Sequence, residues 1–122
     1  MNASQIRKRI QERQKEAGDL LRVLKQHRPL VRGNVYKLRR KCGKEVCRCQ
    51  DGHLHESWVL SVPEKGRKRM RAVPKGKRVE WQEMTERYRR FRHTRARLVK
   101  VFAEIVKMVD ELERERTVPP PE

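Results

Sequence analysis

Apolar side chains are scarce in this sequence. Only 35% of its 122 residues are hydrophobic and 40% are charged, too little apolar surface for a broad core to offset the conformational entropy of ordering the chain. Paired helices, a partner or a metal staple must do part of that work. No apolar run approaches the roughly 20 residues needed to span a bilayer. Met1–Leu30 has no continuous apolar stretch of the signal-peptide kind, so the expectation is a soluble, cytoplasmic protein with no membrane contact. The three cysteines are an odd number, which argues against a disulfide framework and leaves metal binding or free thiols. Aromatics are few, two each of Trp, Tyr and Phe, so platforms for base stacking are limited. No Ser/His/Asp triad, carboxylate pair or phosphate-binding glycine loop is present, and no enzymatic activity is expected.

Acidic residues are also in short supply. Thirty-three Lys and Arg face 16 Asp and Glu, a net charge of +17, which makes a polyanion the expected partner. The excess is concentrated in the middle: residues 31–80 carry 15 basic and 5 acidic side chains, against 8 and 3 in residues 1–30 and 10 and 8 in residues 81–122. Beyond residue 100 the balance reverses, with 3 basic and 6 acidic side chains, so that end should point away from a polyanion.

Hydrophobic periodicity divides the chain into three. Ile6, Ile10, Ala17, Leu20, Leu21 and Leu24 recur at helical spacing and predict an amphipathic helix over 4–28, with Ser4 as N-cap and Pro29 as the stop. Residues 33–74 read as a small β-module: strands at Asn34–Arg39, Ser57–Val62 and Arg67–Val73, the last two joined through Pro63-Glu64-Lys65-Gly66. Over 78–116 a long helix is expected. Its Trp81, Met84, Tyr88, Phe91, Leu98, Phe102, Ile105, Val109 and Leu112 alternate steps of three and four, with Arg95 in the one polar slot. That seam should pair with the first helix as a coiled-coil-like hairpin, with homodimerisation through the same seam as the alternative. The class is α+β, a single domain over 1–116, followed by a disordered tail at 117–122.

All three cysteines and two of the four histidines fall within Cys42–His55. Three thiolates and one imidazole meet the four-ligand requirement of structural zinc. Gly43 and Gly52 allow the tight turns that convergence needs. Three thiolates and a neutral imidazole on a divalent ion leave one net negative charge, which Lys41, Lys44 and Arg48 would balance. The proposed ligands of Zn2+ are Cys42, Cys47, Cys49 and His55; His55 is preferred to His53 because it directly precedes a strand.

The run RGNVYKLRRKCGKEVCRCQDGHLHESWVLS, Arg32–Ser61, resembles a family of small, basic domain-of-unknown-function proteins of bacteria, archaea and mobile elements. That family's signature, a glycine-led strand followed by CGK-x-x-C-x-C-x-x-G-x-x-H, falls here on Gly33, Cys42, Gly43, Lys44, Cys47, Cys49, Gly52 and His55. Where family members continue with Gly-Pro and an aromatic, this chain has Glu56-Ser57-Trp58. The resemblance implies a metal-type motif ending in His55 and a link to mobile elements, and brings no activity with it.

Strand alternation places Arg67, Arg69 and Arg71 on one face, about 7 Å apart. With Lys68, Lys75, Lys77 and Arg78, and with Arg39, Arg40, Lys41, Lys44 and Arg48 beside the cysteines, they are expected to form a continuous patch for a nucleic-acid backbone, DNA slightly ahead of RNA. Arg87, Arg89, Arg90, Arg92, Arg95 and Arg97 form a further basic run on the long helix. The alternative function is an accessory subunit that docks by its heptad helix on a transposase- or nuclease-like effector or another ribonucleoprotein.

Overall fold

The computed structural model describes residues 1–122 as helix α1 (Ala3–Leu24), strand β1 (Asn34–Arg40), a short 3-10 turn (Arg48–Asp51), strands β2 (His55–Glu64) and β3 (Arg67–Ala72), and helix α2 (Arg78–Arg116). The expected α+β architecture is present: two helices that pack on each other and a three-stranded antiparallel sheet of order β1-β2-β3. The chain forms two compact units. One holds residues 1–27 and 90–122, the other 28–89, so α2 contributes to both. No helix is long and apolar enough to cross a membrane.

In the helical unit, α1 starts one residue before the expected Ser4. Asn2 is its cap, and its side chain accepts from the Gln5 amide while the Gln5 side chain accepts from the Asn2 amide; this reciprocal pair satisfies two otherwise free donors. The helix ends at Leu24, short of Pro29, with a tightened last turn in which the Gln26 amide bonds Val23 O at 3.4 Å. Proline disfavours helix in the residue before it, and Gln26-His27-Arg28 offers no apolar face to hold another turn. Ala17, Leu98 and Val101 are buried, flanked by Leu20, Leu24 and Ile105, and Ile6 is buried as well.

The α2 seam differs from the expected one. Phe102 and Val109 are 46% and 48% exposed, while Val101 is fully buried and Met108 half-buried. The packed stripe is Leu98, Val101, Ile105, Met108 and Leu112, again with steps of three and four. Beside it, Arg97 is not a free member of the basic run. Its Nε donates to Glu16 at 2.8 Å, and Arg13 bridges Glu16 at 3.3 Å and Glu104 at 2.7 Å. A network ties the two helices where single exposed pairs would contribute little.

In the β unit, β2 and β3 form a hairpin with the two-residue turn Lys65-Gly66, both at positive φ (47° and 77°), the twist that matches antiparallel strands. Pro63 lies in the central strand without cost, because β1 stops pairing at Ser61 and its missing N–H faces no partner. Val35, Val59, Leu60 and Ser61 form the buried centre of the sheet. Gly33 leads into β1 at close quarters: a Cβ there would lie 2.7 Å from Ser61 O and 3.0 Å from Leu60 Cδ1.

Two outcomes follow. Because the obstacle is backbone, Gly33→Ala should destabilise the protein by about 1–3 kcal/mol, read by urea denaturation; an unchanged midpoint would contradict the close packing. Arg97, first by its hydrogen bond, holds the Glu16 carboxyl below its ordinary 4.5. A depressed carboxylate stabilises above the unfolded pKa and loses that contribution as pH falls through the folded one. Glu16→Gln should therefore melt lower than wild type at neutral pH, with the gap closing at pH values below the ordinary carboxylate range.

Candidate metal centre and its basic surroundings

The ladder between β1 and β2 closes on the pair Arg40–His55. Cys42 lies two residues past one member of that pair and His55 is the other member, so the sheet itself holds the two ends of the cluster together. Between them the chain folds back through the 3-10 turn, where the Gln50 amide bonds Cys47 O at 3.0 Å and the Gly52 amide bonds Cys49 O at 3.3 Å. Gly52 then reverses the chain at φ 92°, a left-handed conformation that glycine adopts without penalty.

Three sulfurs and one imidazole nitrogen meet as a result. Cys42 Sγ lies 3.5 Å from Cys49 Sγ, Cys47 Sγ lies 3.1 Å from His55 Nε2, and all four ligand atoms lie within 4.8 Å of one another. A tetrahedral ion with metal–sulfur bonds near 2.3 Å separates its sulfurs by roughly 3.8 Å. Cys42, Cys47, Cys49 and His55 thus form a site that can hold a metal ion such as zinc, with the ligand set expected from sequence. His53 lies outside it, its amide bonded to Arg48 O at 3.2 Å.

The thiols are unequal. The Cys49 amide foremost, then the side chains of Cys42, Cys49 and His55, hydrogen-bond the Cys47 sulfur and bring its pKa down to about 6. Cys49 is fully buried, and that burial pushes its thiol up even though the Cys42 amide donates to its sulfur at 3.3 Å. A buried thiol beside two others is a costly place for a lone thiolate, and a divalent cation removes that cost.

The basic residues divide by what they touch. Arg39 and Lys37 bond Glu56 at 3.0 and 3.1 Å, Arg69 bonds Glu64 at 3.6 Å, and Lys77 bonds Glu80 at 3.2 Å. The Arg78 guanidinium lies 4.7 Å from the Trp58 ring centre, and the Lys37 ammonium 5.7 Å from it, so Trp58 is a half-buried cation–π partner. Arg40, Lys41, Lys44, Arg48, Arg67, Lys68, Arg71 and Lys75 are exposed and make no ion pair. On the long helix, Arg87 donates to Pro29 O at 3.1 Å and Arg89 to Gly33 O at 3.5 Å, holding the segment before β1.

The register sets Arg67, Arg69 and Arg71 on one face, opposite Glu64, Val62 and Leu60. One basic block runs from the end of β1 into the cluster loop and the other lies on β3 and the segment after it; β2 places Glu56, Trp58, Leu60, Val62 and Glu64 between them on that face, and Lys37 and Arg78 meet over Trp58. The fold also creates a groove that the sequence does not announce. Tyr88, expected in the helix seam, lines about 510 Å³ of space with Tyr36, Arg32, Lys68 and Arg89. No local pattern signals it, because Tyr36 and Tyr88 are 52 residues apart.

No family model, curated protein or solved structure matches the chain.

Replacing any ligand should remove the metal. Cys49→Ser and His55→Ala are expected to purify with little or no bound metal while His53→Ala keeps one ion per chain, measured by elemental analysis of the refolded proteins. Equal loss in His53→Ala would contradict the ligand set.

Proposed function

We propose that the protein is a non-enzymatic, zinc-containing nucleic-acid-binding protein, in which the ion holds the β-module and the module's cations contact the phosphate backbone. Zinc suits three sulfurs and one imidazole in a closed four-ligand set better than metals that prefer oxygen. The observation that carries the nucleic-acid reading is the charge of the β unit: residues 28–89 hold 18 basic and 7 acidic side chains, and eight of the expected contact residues are exposed with no acidic partner.

Such contacts give affinity and register but little sequence discrimination. Arg67 and Arg71, on one face of edge strand β3, are the strongest contacts, since Arg69 between them is engaged by Glu64; Lys68 lies on the other face. Arg40, Lys41, Lys44 and Arg48 form a second contact region around the metal site. The Tyr36–Tyr88 groove, with Arg32, Lys68 and Arg89 on its walls, opens on the other face of the sheet from Arg67 and Arg71 and supports stacking of an unpaired base beside Lys68. The mobile-element link implied by the resemblance over Gly33–His55 favours DNA.

Cobalt in place of zinc should give thiolate charge-transfer and tetrahedral d–d absorption; an octahedral spectrum would contradict the four-ligand site. Binding to a labelled DNA oligonucleotide should weaken steeply with salt, the log–log slope reporting about 0.9 per phosphate neutralised. Arg67→Ala with Arg71→Ala should reduce affinity and make that slope shallower by about 1–2, whereas Arg69→Ala should do less. Absence of binding even at low salt, or binding indifferent to salt, would refute the reading.

A further inference from the structure

The stripe that α2 uses against α1 is not its only apolar stripe. Val99, Phe102, Val106 and Val109 are 54%, 46%, 59% and 48% exposed and follow one another at steps of three, four and three. Four residues further out at each end lie Arg95 and Glu113, both exposed and free of ion pairs. The six positions 95, 99, 102, 106, 109 and 113 thus form a second heptad seam, one position round the helix from the packed one and capped by opposite charges.

That order of charges selects a partner and a direction. Laid parallel on a copy of itself, the seam would place Arg95 on Arg95 and Glu113 on Glu113. Laid antiparallel about a two-fold axis at residue 104, it pairs Arg95 with Glu113, Val99 with Val109 and Phe102 with Val106, each pair occurring twice. These are the alternating layers of an antiparallel coiled coil, and an isologous contact of this kind is self-complementary. On the open flank the neighbouring residues are Ala96 and Ala103, both exposed and small, which leaves room for a close approach. The wider charge pattern agrees. Arg90, Arg92 and Arg95 are exposed and make no ion pair, and residues 101–122 carry 6 acidic and 3 basic side chains, so antiparallel helices lay the basic end of one along the acidic end of the other.

We infer that the protein is a homodimer formed by antiparallel pairing of α2 through Arg95, Val99, Phe102, Val106, Val109 and Glu113. The contact lies wholly in the helical unit and is independent of metal and nucleic acid.

Sedimentation equilibrium of the full chain, stripped of nucleic acid by high salt and then returned to moderate salt, tests this. Wild type should sediment as a dimer. Phe102→Asp should be monomeric with unchanged helical circular dichroism. Arg95→Glu and Glu113→Arg should each weaken dimerisation about tenfold, through two like-charge pairs. The double variant Arg95→Glu/Glu113→Arg should recover most of that loss, and this set decides the matter if Phe102→Asp unfolds. A monomeric wild type would overturn the inference, leaving the stripe to some other partner. A dimer insensitive to Phe102→Asp, or single and double swaps of equal effect, would overturn it too, placing the contact on another face or in another direction.

Discussion

Three sulfurs and one imidazole nitrogen converge between the first two strands of a sheet that buries very little else. The β unit buries only three aliphatic side chains, Val35, Val59 and Leu60, each contributing roughly 2 kcal/mol. A structural zinc site in a small domain contributes on the order of 10 kcal/mol or more at neutral pH. With an ion bound, the cluster and not the apolar centre would be the dominant source of order for residues 28–89. The sheet and the site also support each other: the β1–β2 ladder ends on His55, and the loop it closes carries the three thiols.

Charge is distributed around this constraint in a consistent way. Glu56 on β2 takes two cations from the unit, Glu64 on β2 and Glu80 at the start of α2 take one each, and Arg87 and Arg89 are committed to backbone carbonyls before β1. Those contacts build the fold. The cations left over lie on the two edges of the sheet and around the cluster, where Lys41, Lys44 and Arg48 would balance the one net negative charge of three thiolates and an imidazole on a divalent ion. In the helical unit the Glu16–Arg97–Glu104–Arg13 network has a different task, locking helix against helix.

The strands, the hairpin, the cysteine–histidine cluster and the helix pairing were legible because each depends on local spacing: alternation, the turn signal Pro63-Glu64-Lys65-Gly66, of which Pro63 and Glu64 prove to be strand, three cysteines with a histidine at the head of a strand, and heptad steps. The errors have equally physical causes. Leu98, Phe102, Ile105, Val109 and Leu112 obey heptad steps by hopping between two adjacent apolar stripes, and periodicity alone does not say which stripe faces α1. Val101 and Met108 were missed for that reason. Arg97 reads as a surface arginine until Glu16 is brought beside it across the helix pair, and Tyr88 as a seam residue until the fold sets it by Tyr36.

If the ion organises the β unit, the dependence should be visible amide by amide. Hydrogen exchange across the chain, before and after metal is removed by a chelator under reducing conditions, measures it directly. Metal removal is predicted to abolish protection of the paired amides of β1, β2 and β3, while α1 and residues 90–116 of α2 keep theirs. A sheet whose protection survives intact in demonstrably metal-free protein would contradict the organising role of Cys42, Cys47, Cys49 and His55.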